Sequence, residues 1–202
     1  MSRYSVARRS AACLVAALAA VAVLTPGVAD ATAAPPVTLV SETFPTTAIP
    51  AGWKFVNQSD SQPGWFLTDP GHHGNHTGGT GDFASIDSAL MHAGGGVGFV
   101  HASVLSPYLN KAARSIVTVT FNTDLVATQG SDVSSLQWSL DKGKTWTSIW
   151  SVANTSIAPG TKINVQLPAA VTAAKHFSVR WTNRSSNAGY WEIDNLVVTA
   201  SF

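Results

Sequence analysis

Apolar and polar residues alternate with a period of two through short segments, and this pattern narrows the fold more than any other feature. The segments run Ile116 to Phe121, Leu136 to Leu140, Trp146 to Val152, Ile163 to Leu167, Phe177 to Thr182 and Trp191 to Thr199. Such alternation puts every second side chain on one face, as half-buried strands require. Val, Thr, Ser and Trp dominate them, Gly and Pro separate them, and beyond the N-terminus no long window carries a helical period. Strands recurring every ten to fifteen residues or so predict an antiparallel sandwich or barrel.

The N-terminus has a different character. Basic Arg3, Arg8 and Arg9 precede an apolar run from Ala11 to Leu24, and Ala29-Asp30-Ala31 fits a small-x-small cleavage site. This reads as a secretory signal peptide over residues 1–31, which leaves a single domain over 32–202 that is exported and extracellular. The run is too short to span a bilayer, and Cys13 precedes the apolar core instead of ending it, so neither a membrane span nor a lipid anchor is expected. Removing this segment takes away three of the twelve Lys and Arg and one of the eleven Asp and Glu, leaving nine against ten. A near-neutral chain lacks the electrostatic footprint of a nucleic-acid or anionic-membrane binder. Because Cys13 is the single cysteine, the exported part holds no disulfide and must rely on its core, on bound metal, or on both. A monomer is expected.

The region from Asn57 to Gly98 breaks the alternation. It is rich in Gly, His, Asp, Ser and Thr, with only Trp65-Phe66 and Phe83 to Ile86 as short strands. Long loops in compact domains are uncommon unless they bind something, so this segment is either a functional surface or a flexible insert. His72, His73 and His76 crowd into it. A zinc site there is disfavoured, because the run sits on a polar loop with no supporting element and no H-E-x-x-H motif. These histidines, with Trp53, Trp65 and Tyr190, are instead the candidate ligand contacts. Trp150 is also free to make contacts, whereas Trp138, Trp146, Trp181 and Trp191 alternate within strands and are assigned to the core. For each contact tryptophan a core position is the competing reading.

Ser139-Leu140-Asp141-Lys142-Gly143-Lys144-Thr145-Trp146 matches the S-x-D-x-G-x-T-W pattern of the Asp-box. Serine and aspartate oxygens can bond turn amides, glycine permits positive φ, and tryptophan anchors the hairpin, so the motif specifies a turn and no activity. A single copy argues against a propeller.

Glu42 shares parity with Val40 and Phe44, and Asp194 with Leu196 and Val198, which puts both carboxylates on apolar faces. A buried, ionised carboxylate needs a cation, a metal or converging amides. An oxygen-rich set suits Ca²⁺, which Asp82 and Asp87 of the Gly-rich segment would complete. Pairing with Arg180 or Arg184 is the alternative, as is a bulge that slips the parity and exposes both acids. A hydrolase would need a nucleophile with its base or two opposed carboxylates in a cleft; no G-x-S-x-G occurs, and the acids are scattered. A non-catalytic module binding an extracellular glycan or protein is therefore expected. An extracellular hydrolase of polysaccharide or peptide, using Asp69 and Asp82 with a histidine, is the alternative.

An ordered series of motifs supports that reading. Glu42-Thr43-Phe44, Ile49-Pro50-Ala51-Gly52-Trp53, Trp65, Gly78 to Ser88, Leu105-Ser106-Pro107, the Asp-box, Val179-Arg180-Trp181 and Trp191 to Leu196 follow one another along nearly the whole exported chain. In this order they resemble a choice-of-anchor J domain, a type similar to the cleaved adhesin and MAM domains. The resemblance implies an all-β, two-sheet antiparallel jelly-roll sandwich, often calcium-stabilised, acting as an accessory or adhesive module. It also implies a calcium role for Glu42, Asp82, Asp87 and Asp194.

Overall fold

A computed structural model describes residues 34–58, 64–88, 90, 100–128, 132–186 and 189–202. The signal-peptide reading, and part of the Asn57 to Gly98 segment, lie outside them. No described helix is long and apolar enough to cross a membrane.

The chain forms β1 (Val37–Glu42), β2 (Lys54–Asn57), β3 (Ala84–Asp87), β4 (Val100–Leu105), β5 (Leu109–Asn110), β6 (Ile116–Val126), β7 (Val133–Ser139), β8 (Thr147–Ala153) and β9 (Ile157–Gln166). A short helix, α1 (Ala169–Ala173), then precedes β10 (His176–Ser185) and β11 (Tyr190–Ser201). One sheet runs β1-β11-β6-β9, with β3 also on β11, and the other runs β2-β4-β10-β7-β8, with β5 also on β10. Every strand pairing is antiparallel. This is the all-β sandwich that the alternation predicts.

Inward residues of both sheets meet in an aromatic core. Trp181 on β10 stacks on Trp53, with ring centroids 6.0 Å apart, and meets Phe121 of β6 edge-on at 5.8 Å. Trp191 on β11 packs against Trp65 and Trp150. Rings in such edge and stacked pairs contribute about 0.5–1.5 kcal/mol each beyond their burial. Trp53 and Trp65, two of the expected ligand contacts, are only 6% and 7% exposed and belong to this core, because their rings pack on Trp181 and Trp191. Trp146 departs the other way: β8 starts at Thr147, so its indole lies on the turn, half-buried, outside the core.

A candidate cation site beneath the histidine-rich loop

The register of β11 decides where its acids point. Asp194 pairs with Asn122 and Val197 with Thr120, so β11 spends one extra residue there, and Asn195 takes a φ of 51°. Asn tolerates that left-handed conformation better than most residues, which makes the bulge readable in hindsight. Trp191 and Ile193 before it, and Leu196 and Val198 after it, all face the core. The parity expectation for Asp194 is thereby corrected. Asp194 and Glu192 lie on the outer face of the sheet, yet both are fully buried.

The cover is the segment from Thr68 to Asp82, a bonded loop. The Asp69 carboxylate accepts the N–H groups of His73 (3.0 Å) and Gly74 (2.7 Å), and Asn75 Oδ1 accepts from the amide and hydroxyl of Thr77. Positive φ at Gly74, Gly78 and Gly81 supplies the reversals. The loop is then tied down at both sides. The Gly160 N–H donates to the carbonyl of His76 at 2.7 Å, and the His76 N–H donates to Glu192 Oε2 at 3.0 Å.

Beneath the loop, Glu192 pairs directly across the strands with Asp124 of β6, and the residues are 0% and 1% exposed. Like charges opposite one another are unfavourable even on a wet sheet face, and more so when buried. Asp124 Oδ2 accepts the Tyr190 hydroxyl at 3.0 Å and lies 3.4 Å from His76 Nδ1. Asp124 Oδ1 and Glu192 Oε1 are buried without a hydrogen-bond partner. Burial, with the Asp124 charge, pushes Glu192 up to about 7 against the opposing His76 amide. Burial and the same carboxylate push the Tyr190 phenol up. His76, Asp124 and Glu192 each offer one ligand atom within 4.8 Å of the others. That mixed nitrogen and oxygen set can hold a divalent cation, which would supply the missing partners.

Asp194 forms a second pocket of charge next to Glu42. Its Oδ1 accepts the Asn195 N–H at 2.6 Å, while Oδ2 is buried without a hydrogen bond, since the nearby Thr77 hydroxyl gives its proton to Asn75. Burial raises Asp194 to about 6, and the Glu42 charge adds to the rise. Glu42 itself is half-buried, and its Oε1 accepts the N–H groups of Thr43 and Phe44. Gly79 closes over the acid so tightly that a Cβ there would lie 1.9 Å from Asp194 Oδ2.

The four acids expected to share a calcium site are divided by the fold. Glu42 and Asp194 are neighbours, whereas Asp87 pairs with Tyr190, four positions along β11 and so about 13 Å from Asp194. Asp87 is held by His73, whose Nε2 lies 2.9 Å from Oδ2, and the His73 ring stacks on Tyr190 with centroids 4.0 Å apart. Asp82 is half-buried in the covering loop and His72 is exposed. Asp124 and Glu192 were not singled out from the sequence. The available signal was an acid inside each of two strands made mostly of apolar and β-branched residues, Asp124 in β6 and Glu192 in β11.

The arrangement can bind a cation or share a proton, but it presents no open acid pair to a substrate. Both carboxylates are sealed by the loop, and Asp69 is committed to loop amides. The fold that carries this covered acidic face is an antiparallel two-sheet β-sandwich. No protein-family model matches the chain, and no curated protein sequence matches it. Solved structures do share the fold. The K3 cleaved adhesin domain of Lys-gingipain from Porphyromonas gingivalis is similar at a TM-score of 0.58 and 19% identity, over 82% of this chain and 99% of that one. Its K1 cleaved adhesin domain is similar at 0.56 and 19% identity, over 80% and 97% respectively. At these identities the likeness is one of fold.

Proposed function

We propose that this chain is a secreted, monomeric, non-catalytic binding module of the choice-of-anchor J kind, in which divalent cations pin the histidine-rich loop to the sheet. The observation that carries this reading is the row of sealed carboxylates with three unpartnered oxygens, Asp124 Oδ1, Glu192 Oε1 and Asp194 Oδ2. Leaving such oxygens buried costs on the order of 1–3 kcal/mol apiece, and a cation removes that cost. Glu42 and Asp194, with Asp82 of the loop as a further donor, offer oxygens only and suit Ca²⁺. His76, Asp124 and Glu192 suit a cation that accepts imidazole, such as Zn²⁺. The ligand is an extracellular glycan or protein. The name adhesin, borne by the domains of like fold, agrees with this reading, and the sealing of the acids supports binding over hydrolysis.

The test is a thermal melt of residues 32–202 in chelator and in graded CaCl₂ or ZnCl₂. At a hundredfold excess over Kd, linkage stabilises by about 2.7 kcal/mol, or roughly 5–10 °C for a domain of this size. Equal melting temperatures in chelator and in either cation would overturn the metal reading, and turnover of polysaccharide or peptide would overturn the non-catalytic one.

A further inference from the structure

On the other sheet, away from the covered acids, a groove of about 350 Å³ opens between β2, the end of β4 and the Asp-box hairpin. That volume lies at the small end of ligand-sized clefts, about 300–1,000 Å³. Its walls include Gly52, Lys54, Tyr108, Lys142, Gly143 and Trp146.

Both aromatic walls are braced from behind. Trp146 lies under the Arg180 guanidinium, 4.5 Å from its ring centroid, and its Nε1 donates to the Gly143 carbonyl at 3.0 Å. Arg180 is fixed in turn by Gln137, whose Oε1 accepts from Nε at 2.7 Å. Tyr108, 41% exposed, stacks on His176 with centroids 5.2 Å apart, and its hydroxyl is 3.4 Å from the Leu140 carbonyl. Rings held in this way lose little freedom when a ligand arrives. The Asp-box supplies the geometry: Ser139 and Asp141 bond the amides of Gly143 and Thr145, and Lys142 and Gly143 take φ values of 61° and 83°. The turn therefore carries Lys142 out to the rim, 6.0 Å from the Tyr108 ring.

The charge at this groove has one sign. Lys54 and Lys142 line it, Arg180 lies behind Trp146, and no carboxylate is among the lining residues. The nearest acid of the hairpin, Asp141, has both oxygens engaged by Ser139 and Thr145. Burial lowers Arg180 to about 10, so it remains a cation at neutral pH. The exported chain as a whole is slightly acidic, which makes this a local feature and not a general attraction for polyanions.

We infer that the groove takes a short stretch of a uronic-acid-bearing polysaccharide, its sugar rings against Tyr108 and Trp146 and its carboxylates toward Lys54 and Lys142. This rests on the reading of the chain as a binding module and names the ligand class of that module. Braced aromatic faces suit the apolar faces of sugar rings, and paired lysines select an anionic sugar from a neutral one.

Affinity electrophoresis through gels containing polygalacturonic acid, neutral β-1,4-galactan or dextran sulfate tests it. The secreted chain should be retarded by polygalacturonic acid and not by galactan. The Lys54→Gln, Lys142→Gln double variant should lose at least tenfold in apparent affinity, with its melting curve unchanged. Tyr108→Ala and Trp146→Ala should each lose as much, and Tyr108, which lies outside the Asp-box hairpin, keeps the test independent of that hairpin's folding. Equal retardation by galactan, retardation by dextran sulfate that the variants do not diminish, or no retardation by any polymer would overturn the assignment. The cation-dependent melt, which these variants should leave intact, reports separately on the module reading.

Discussion

Replacing Glu192 by Gln removes a charge while keeping the shape and the acceptor for the His76 amide. In the metal-free protein a rise from 4.5 to about 7 is worth roughly 3 kcal/mol, at about 1.36 kcal/mol for each pH unit. The sign follows from proton linkage. The folded state keeps the Glu192 proton up to about 7, while the unfolded chain releases it near 4.5. Between those values the folded state binds more protons, so stability falls as pH rises, and the full penalty stands above about 7. Glu192→Gln escapes it. In chelator at pH 8 the variant should therefore be more stable than the parent by up to about 3 kcal/mol, a rise of some 6–12 °C at about 2–4 °C per kcal/mol. At pH 4.5 the two should melt together. Cation at a thousandfold excess over the parent's Kd, worth about 4 kcal/mol, should reverse the order at pH 8, because the parent gains a ligand that the variant holds poorly. Circular-dichroism melts at both pH values, with and without chelator, give all the comparisons. A variant less stable than the parent in chelator at pH 8, or equally shifted at both pH values, would refute the reasoning.

Gly79→Ala places a Cβ 1.9 Å from Asp194 Oδ2 and 3.1 Å from Asn195 Nδ2, so the loop must lift. A loss of about 1–3 kcal/mol is expected in urea unfolding, with weaker cation stabilisation. Trp181→Ala empties a fully buried site shared with Trp53 and Phe121 and should cost about 3–5 kcal/mol by the same assay. Asp141→Ala removes the acceptor for the Thr145 amide and hydroxyl, so hydrogen exchange should quicken across Lys142 to Trp146 and stay unchanged in β6 and β11. Those bonds hold the Asp141 carboxyl well below its usual range, so the hairpin's protection should persist as pH falls from 7 to 4.

The long strands were legible because their alternation survives folding. Ile116–Val126 and His176–Ser185 keep inward residues such as Val117, Val119, Val179 and Trp181 buried. The strands that escaped notice had little pattern to offer. β2 is four residues long and mostly exposed, β5 has two residues, and in β4 the small residues Ala102 and Ser103 are buried side by side. The five-residue helix α1 is too short to display a period. The acidic face was hidden for a related reason. Thr123, Asp124 and Leu125 are all buried, because a loop distant in sequence covers the face that alternation assigns to water. Glu192 sits likewise between Trp191 and Ile193. The histidine-rich segment was legible as a special loop, and His76 within it as a candidate. Its partner acids follow only from the register of β6 on β11 and from the bulge at Asn195.

Metal analysis bears on the pinned loop most directly. The protein would be dialysed against buffered micromolar Ca²⁺ and Zn²⁺, and bound metal counted per chain by mass spectrometry. Near-stoichiometric cation in the parent, lost in a Glu192→Gln, Asp194→Asn double variant that remains folded, is the predicted result. A parent chain that emerges folded and free of both metals would contradict it, and would leave the buried carboxylates sharing protons instead.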